Sequence, residues 1–232
     1  MIPAISFIFR PQTMTDPLNA SVPHSRVIRS VWAFTLVSAL TLAMLCSRPA
    51  PAAAQGAMSA TQDLVNRALE ILRNKQVPVA QRRRQLKQLI EPRFDFTEMS
   101  RSAIGYHWRT LTPAQRSDFT QVFTAFIEAA YLDKVQDYSG QQVQFGQERS
   151  LGQGYAEVDT RIIQNGKSPL HVNYLLAQRG ADWKVYDVTV EAISIIANYR
   201  NQFNRVINQQ GFPKLMSDLR AKQQQLGAEL GE

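Results

Sequence analysis

Residues 155–191 read YAEVDTRIIQNGKSPLHVNYLLAQRGADWKVYDVTVE, and this stretch decides the fold. From Tyr155 to Gln164, Ala156, Val158, Thr160 and Ile162 alternate with Tyr155, Glu157, Asp159 and Arg161, the period of a half-buried strand. Asn165-Gly166 reads as a hairpin turn. Ser168 to Gln178 follows, apolar at 170, 172, 174, 175 and 176. Arg179-Gly180-Ala181 turns again, and Trp183 to Val190 completes the run. Upstream, Gln142 to Gln147 reads as a weak first strand. Short turns force antiparallel neighbours, so four strands form a meander.

Working outward, both flanks change to helical spacing. Thr112-Pro113-Ala114-Gln115 opens a helix expected to run to about Gln136: Thr112 and Gln115 can satisfy each other's backbone donors, and Pro113 sits where a missing N–H costs nothing. Its apolar side carries Phe119, Val122, Phe123, Phe126, Ile127, Ala130 and Tyr131. Before it lie helical patterns over Thr61–Gln76, Val79–Ile90 and Phe94–Ile104, the last with Gly105 as its C-terminal cap. After the strands, Ile193–Gln209 and Lys214–Leu226 read as helices separated by Gly211 and Pro213. The expectation is α+β: a curved four-stranded antiparallel meander with helices on one face, and helices before and after the sheet. A nuclear-transport-factor-like cone of this kind can enclose a cavity.

The first segment is an address. Arg10, Arg26 and Arg29 precede Val31–Leu45, fifteen residues without a charge, and Ala52-Ala53-Ala54 follows. That is the pattern of a secretory signal peptide over 1–54, cut after Ala54, with 55–232 left as one domain. The apolar run is shorter than the roughly 20 residues of a membrane span, although an uncleaved anchor is the alternative. Leu45 before Cys46 argues against a lipoprotein, and Met14 is a second candidate start.

The whole chain has 232 residues and net charge +7. Removing 1–54 takes away four basic residues and Asp16, which leaves 22 basic against 18 acidic residues, net +4, and no cysteine. With 44% hydrophobic residues the chain can build a core, and its stability comes from packing rather than disulfides. Export turns Arg82-Arg83-Arg84 from a nucleic-acid patch into a solvated helix face, so no nucleic-acid partner is expected.

No nucleophile elbow, phosphate-cradling loop or metal-ligand spacing is present. His107 and His171 are isolated. Asp187 and Glu191 could form an acid/base pair; the competing reading puts Glu191 at the N-terminus of the helix expected from Ile193. Large apolar side chains without polar machinery favour an apolar pocket over catalysis, so no catalytic residue, metal or cofactor is assigned. The expected lining joins the Phe-rich helix face to the concave side of the sheet: Phe119, Phe123, Phe126, Ile127, Val158, Ile162, Val172, Tyr174, Val185, Ile195 and Tyr199.

Three separated motifs carry a resemblance. They are Phe94-Asp95-Phe96-Thr97-Glu98-Met99 with Gly105 and Trp108-Arg109; Leu111-Thr112-Pro113-Ala114-Gln115-Arg116 with Phe119 and Phe123; and Trp183 to Glu191 with Ser194 and Asn198-Tyr199-Arg200-Asn201-Gln202-Phe203. Together they resemble the MlaC family, also called toluene-tolerance or ABC-transporter auxiliary proteins. One departure is Ala192, where the family usually has Gly; Ala fits most backbones but not one at positive φ. The resemblance implies a soluble periplasmic carrier with phospholipid as cargo. It implies exchange with an inner-membrane ABC transporter complex carrying a lipid-binding ring protein, and with an outer-membrane lipoprotein–porin complex. A hopanoid-associated branch of the family and a cavity enzyme on the same fold are the alternatives. A two-chain lipid has about 30 methylenes at roughly 0.8 kcal/mol each. The sum, on the order of 24 kcal/mol, exceeds any usable affinity. Such a lipid moves only inside a pocket about as apolar as the bilayer.

Overall fold

The computed structural model describes residues 56–132, 138, 140–164 and 166–230. The expected signal peptide with its cut after Ala54, Asn165 of the expected Asn165-Gly166 turn and the expected helix end near Gln136 lie outside the described residues. Contacts divide the chain into 1–48 and 49–232, and every described residue belongs to the second unit. Its elements are α1 (Ala57–Arg73), α2 (Val79–Ile90), α3 (Phe96–Ile104), a 3-10 helix (Gly105–Thr110), α4 (Pro113–Leu132), β1 (Gln142–Gly152), β2 (Tyr155–Ile163), β3 (Leu170–Arg179), β4 (Asp182–Val190), β5 (Ile193–Ser194), α5 (Ile195–Gln210) and α6 (Phe212–Leu230).

The fold is α+β, and its antiparallel sheet has five strands in the order β1-β2-β3-β4-β5, one more than the four expected. The extra strand follows from the turn before it. Glu191 and Ala192 both have positive φ, +49° and +64°, so the chain reverses in two residues and pairs Val190 with Ile193. This displaces the helix start from Ile193 to Ile195. Strand β1 also runs to Gly152, beyond the expected Gln147. It is an edge strand, and an irregularity between Phe145 and Glu148 breaks its alternation, which is why the period does not reveal its length.

Local chemistry sets the helix starts. The Thr112 N–H donates to Gln115 Oε1 at 2.9 Å and the Gln115 N–H donates to Thr112 Oγ1 at 3.2 Å, so the expected capping box is present. Asp95 caps α3 by accepting from the Glu98 N–H at 3.0 Å, and its other oxygen accepts from Arg179 Nε of β3 at 2.7 Å. Phe94 lies just outside α3 and makes a parallel bridge with Val185 along the edge of β4. Helix α6 starts two residues before the expected Lys214, because Pro213 is tolerated in a first turn.

The buried side chains form two clusters. One joins α3, α4, α5 and α6 through Ile104, Phe119, Phe123, Phe126, Phe203 and Leu215 among others. The other joins α1 to the sheet through Ala57, Leu64, Ala156, Val158, Leu176 and Val185. Phe94 packs against both.

Candidate functional site

Strand register places the expected sheet residues on one face. Ala156, Leu176 and Val185 form one row across β2, β3 and β4; Val158, Tyr174 and Val188 form the next; Thr160, Val172 and Val190 the third; Val143, Ile162 and Leu170 the last. The first row and the last differ in burial. Ala156, Leu176 and Val185 are buried; the two middle rows are mixed, with Val158, Thr160 and Val172 buried and Tyr174, Val188 and Val190 half-buried; Val143, Ile162 and Leu170 are only half-buried. The face is therefore sealed at one end, under α1, and open at the other. Ile193, exposed to 38%, and half-buried Ile195 follow Val190 at that open end.

Tyr174 sits midway. Burial pushes its hydroxyl up to about 12, yet the side chain keeps accessible surface, and no partner meets its hydroxyl among the described residues. Thr160 differs: its hydroxyl donates to the Val172 carbonyl at 2.6 Å and is satisfied within the sheet.

The helical half of the expected lining is placed elsewhere. Phe119, Phe123 and Phe126 stack in sequence with ring centroids 5.5 and 6.4 Å apart. Tyr199 and Phe203 meet them edge-on at 5.4–6.2 Å. Phe119 and Phe123 are 0% exposed, so their surfaces are already spent on α3, α5 and α6. The structure thus brings Phe119, Phe123, Phe126, Ile127, Tyr199 and Ile195 together in one cluster, and Val158, Val185 and Tyr174 in the other. Val172 and Ile162 share the sheet face but belong to neither. It is α1, not α4, that lies on the sheet. Two surface hollows lie away from these residues, one at Glu70, Ile71 and Gln85 and one at Arg83, Lys87 and Glu128.

Asp187 is buried and holds the start of α5. It accepts from the backbone N–H of Val188 at 2.8 Å and of Ile196 at 3.2 Å, and from the Ser194 hydroxyl, while Ser194 Oγ accepts from the Ala197 N–H at 2.8 Å. Burial raises the Asp187 carboxyl above the usual aspartate range; these bonds and Arg200 oppose that rise. Glu191 does not approach the helix terminus as expected. Its carboxylate accepts from the His171 backbone N–H at 2.7 Å and closes the turn against β3. The two acids therefore have separate structural tasks. Tyr131 lies on the last turn of α4, is 44% exposed and stands beside Tyr199 of α5. Its helical spacing from Ile127 was visible in sequence, but its position beside α5 was not. Among the described residues no group of His, Cys, Asp and Glu is arranged to hold a metal ion, and no helix is long and apolar enough to cross a membrane.

A family model described as the MlaC protein matches residues 62–221. The intermembrane phospholipid transport system binding protein MlaC of Haemophilus influenzae is 27% identical over 120 residues, which are 50% of this chain and 56% of that protein. Toluene tolerance protein ttg2D of Pseudomonas putida is 25% identical over 127 residues, 54% of this chain and 59% of that protein. The matched region thus spans somewhat over half the length of these curated relatives. A solved phospholipid-binding protein from Ralstonia solanacearum, in complex with a phospholipid, superimposes with a TM-score of 0.66 at 25% identity, over 75% of this chain and 98% of that one.

Proposed function

This chain belongs to the MlaC family, and from that membership we propose that it is a periplasmic phospholipid carrier of an ABC-type lipid transport system. The single observation that carries the reading is the match, over nearly the whole of the Ralstonia chain, to a fold that holds a phospholipid. The sheet supports it from within: an apolar face that is half-buried at one end and leads inward past Tyr174 suits acyl chains.

In this reading the acyl chains enter at the open end and lie along Ile162, Val172 and Tyr174. Ile127, Ile195 and Tyr199 flank them, so the cone forms where the two clusters part. Phe119, Phe123, Val158 and Val185 back these surfaces. The pocket exchanges apolar protein surface for apolar lipid surface, so transfer is close to neutral and its direction is set by the partners. Those partners are the inner-membrane ABC transporter complex with its lipid-binding ring protein and the outer-membrane lipoprotein–porin complex. The protein reaches them after removal of residues 1–54. It turns over no substrate: Asp187, a buried acid beside the sheet, is committed to Ser194 and the start of α5.

Native mass spectrometry of the exported protein, followed by lipid extraction, tests the reading. The expected result is one diacyl phospholipid per chain and an N-terminus at Gln55. A chain that carries no lipid, or that carries a polycyclic lipid instead, overturns it.

A further inference from the structure

We propose that the 3-10 helix Gly105–Thr110 and the exposed side of α5 form a docking surface for an anionic phospholipid bilayer. The two segments read GYHWRT and IIANYRNQFNRVINQQ, and neither contains an acidic residue. They carry Arg109, Arg200 and Arg205, all exposed; Arg109 and Arg205 form no ion pair among the described residues, and Arg200 lies within electrostatic reach of Asp187. Tyr106 is 60% exposed, the largest value among the exposed large apolar and aromatic side chains of the described residues.

Tyr106, Arg109 and Arg205 share one side of the molecule, with Arg200 at its edge. Residues three apart eclipse on a 3-10 helix, so Tyr106 and Arg109 face the same way. The Tyr106 hydroxyl donates to Asn208 Oδ1 at 2.8 Å, and Arg205 lies one turn before Asn208 on α5. Immediately before Tyr106, Gly105 has φ +54°, and a Cβ there would stand 3.4 Å from Arg200 Cδ, so the Arg200 stem lies directly over the turn. The platform is anchored from behind: Arg116 of α4 donates to the Trp108 carbonyl at 3.0 Å and its guanidinium lies 5.6 Å from the Trp108 ring.

The chemistry favours a bilayer. Guanidinium groups bind phosphate with two parallel hydrogen bonds. Their long stems reach into a headgroup layer, and an exposed tyrosine suits the boundary between headgroups and chains. Neither segment carries a negative charge of its own to oppose approach. It is separate from the apolar sheet face, so docking does not depend on the cargo reading.

The test is co-sedimentation of the purified protein with vesicles of phosphatidylcholine alone or mixed with phosphatidylglycerol. Binding is expected to rise with phosphatidylglycerol content and to fall as salt is raised. Arg109→Glu/Arg205→Glu should lower the partition coefficient at least about tenfold, because each basic group near such a surface is worth several-fold in binding. Arg84→Glu/Arg161→Glu makes the same change in net charge elsewhere on the surface and should lower it far less. Tyr106→Ala should weaken binding several-fold with little change in salt dependence. If the first double variant does not fold, Arg109→Gln/Arg205→Gln reads the same surface. Equal losses in the patch variant and the charge-matched variant overturn the proposal, as does equal binding to neutral and anionic vesicles. Unchanged vesicle binding by the patch variant also overturns it, and would point to an acidic protein as the partner.

Discussion

The Phe-rich side of α4 and the inner face of the sheet are both apolar and both turned inward, but they are used differently. Phe119 and Phe123 are 0% exposed and meet aromatic neighbours on two further helices. On the sheet, Val158 is equally buried, while Ile162, four residues on along the same face, is half-buried. The first surface is filled by the chain itself. The second has apolar area to spare at one end, and spare apolar area inside a protein is where an apolar ligand gains most.

Substitutions should separate the two. Phe123→Ala removes a ring from the filled cluster and should cost about 3–5 kcal/mol, read from the urea midpoint. A cost below about 1 kcal/mol would mean that the ring borders a void. Tyr174 probes the other surface by pH. Its folded hydroxyl titrates near 12 rather than near 10, so the stabilisation is fully present below pH 10 and is lost as pH rises toward 12. The difference corresponds to roughly 2–3 kcal/mol. Tyr174→Phe should flatten that alkaline limb of the stability curve. A Tyr174 that ionises near pH 10, followed by ultraviolet difference absorbance, would mean that the face is open to bulk water.

A paired tryptophan scan is sharper although its stability effects are smaller. Val158→Trp should overpack a sealed row and destabilise by about 1–3 kcal/mol. Ile162→Trp should leave the melting temperature nearly unchanged and reduce the co-purified phospholipid per folded molecule. If both variants melt early with lipid content intact, the whole face is ordinary core. The smallest effect belongs to the turn beside the open end. Ala192 holds φ +64° without being glycine, so Ala192→Gly should stabilise by about 1 kcal/mol, a rise of a few degrees in a thermal melt. No gain would show that Ala192 bears little strain there.

Much of this was legible in sequence wherever the signal was local. The Thr112–Gln115 box, the strand alternation after Tyr155 and the Gly105 cap each depend on residues within a few positions of one another. The misses have equally definite causes. β1 was cut short because its irregularity breaks a period of two. β5 went unseen because Glu191-Ala192 is a turn made without glycine. Glu191 was expected at a helix terminus, but Asp187 and Ser194 have that task, because the turn moves the helix start to Ile195. The candidate lining was chosen for apolar spacing, which identifies an inward face without naming the face it meets.

By itself the sequence determined the order of helices and strands, the antiparallel meander and the ends of several helices, since these follow from backbone periods, short turns and caps a few residues long. Only the tertiary structure decided that α1 rather than α4 covers the sheet, that the Phe side of α4 closes on α5 and α6, and that Arg109 and Arg205 share one surface. The physical reason is that the hydrophobic effect is non-directional: an apolar stripe must leave water, but any complementary stripe will cover it. Which one does so is settled by the joint packing of all the elements, and no single segment carries that information.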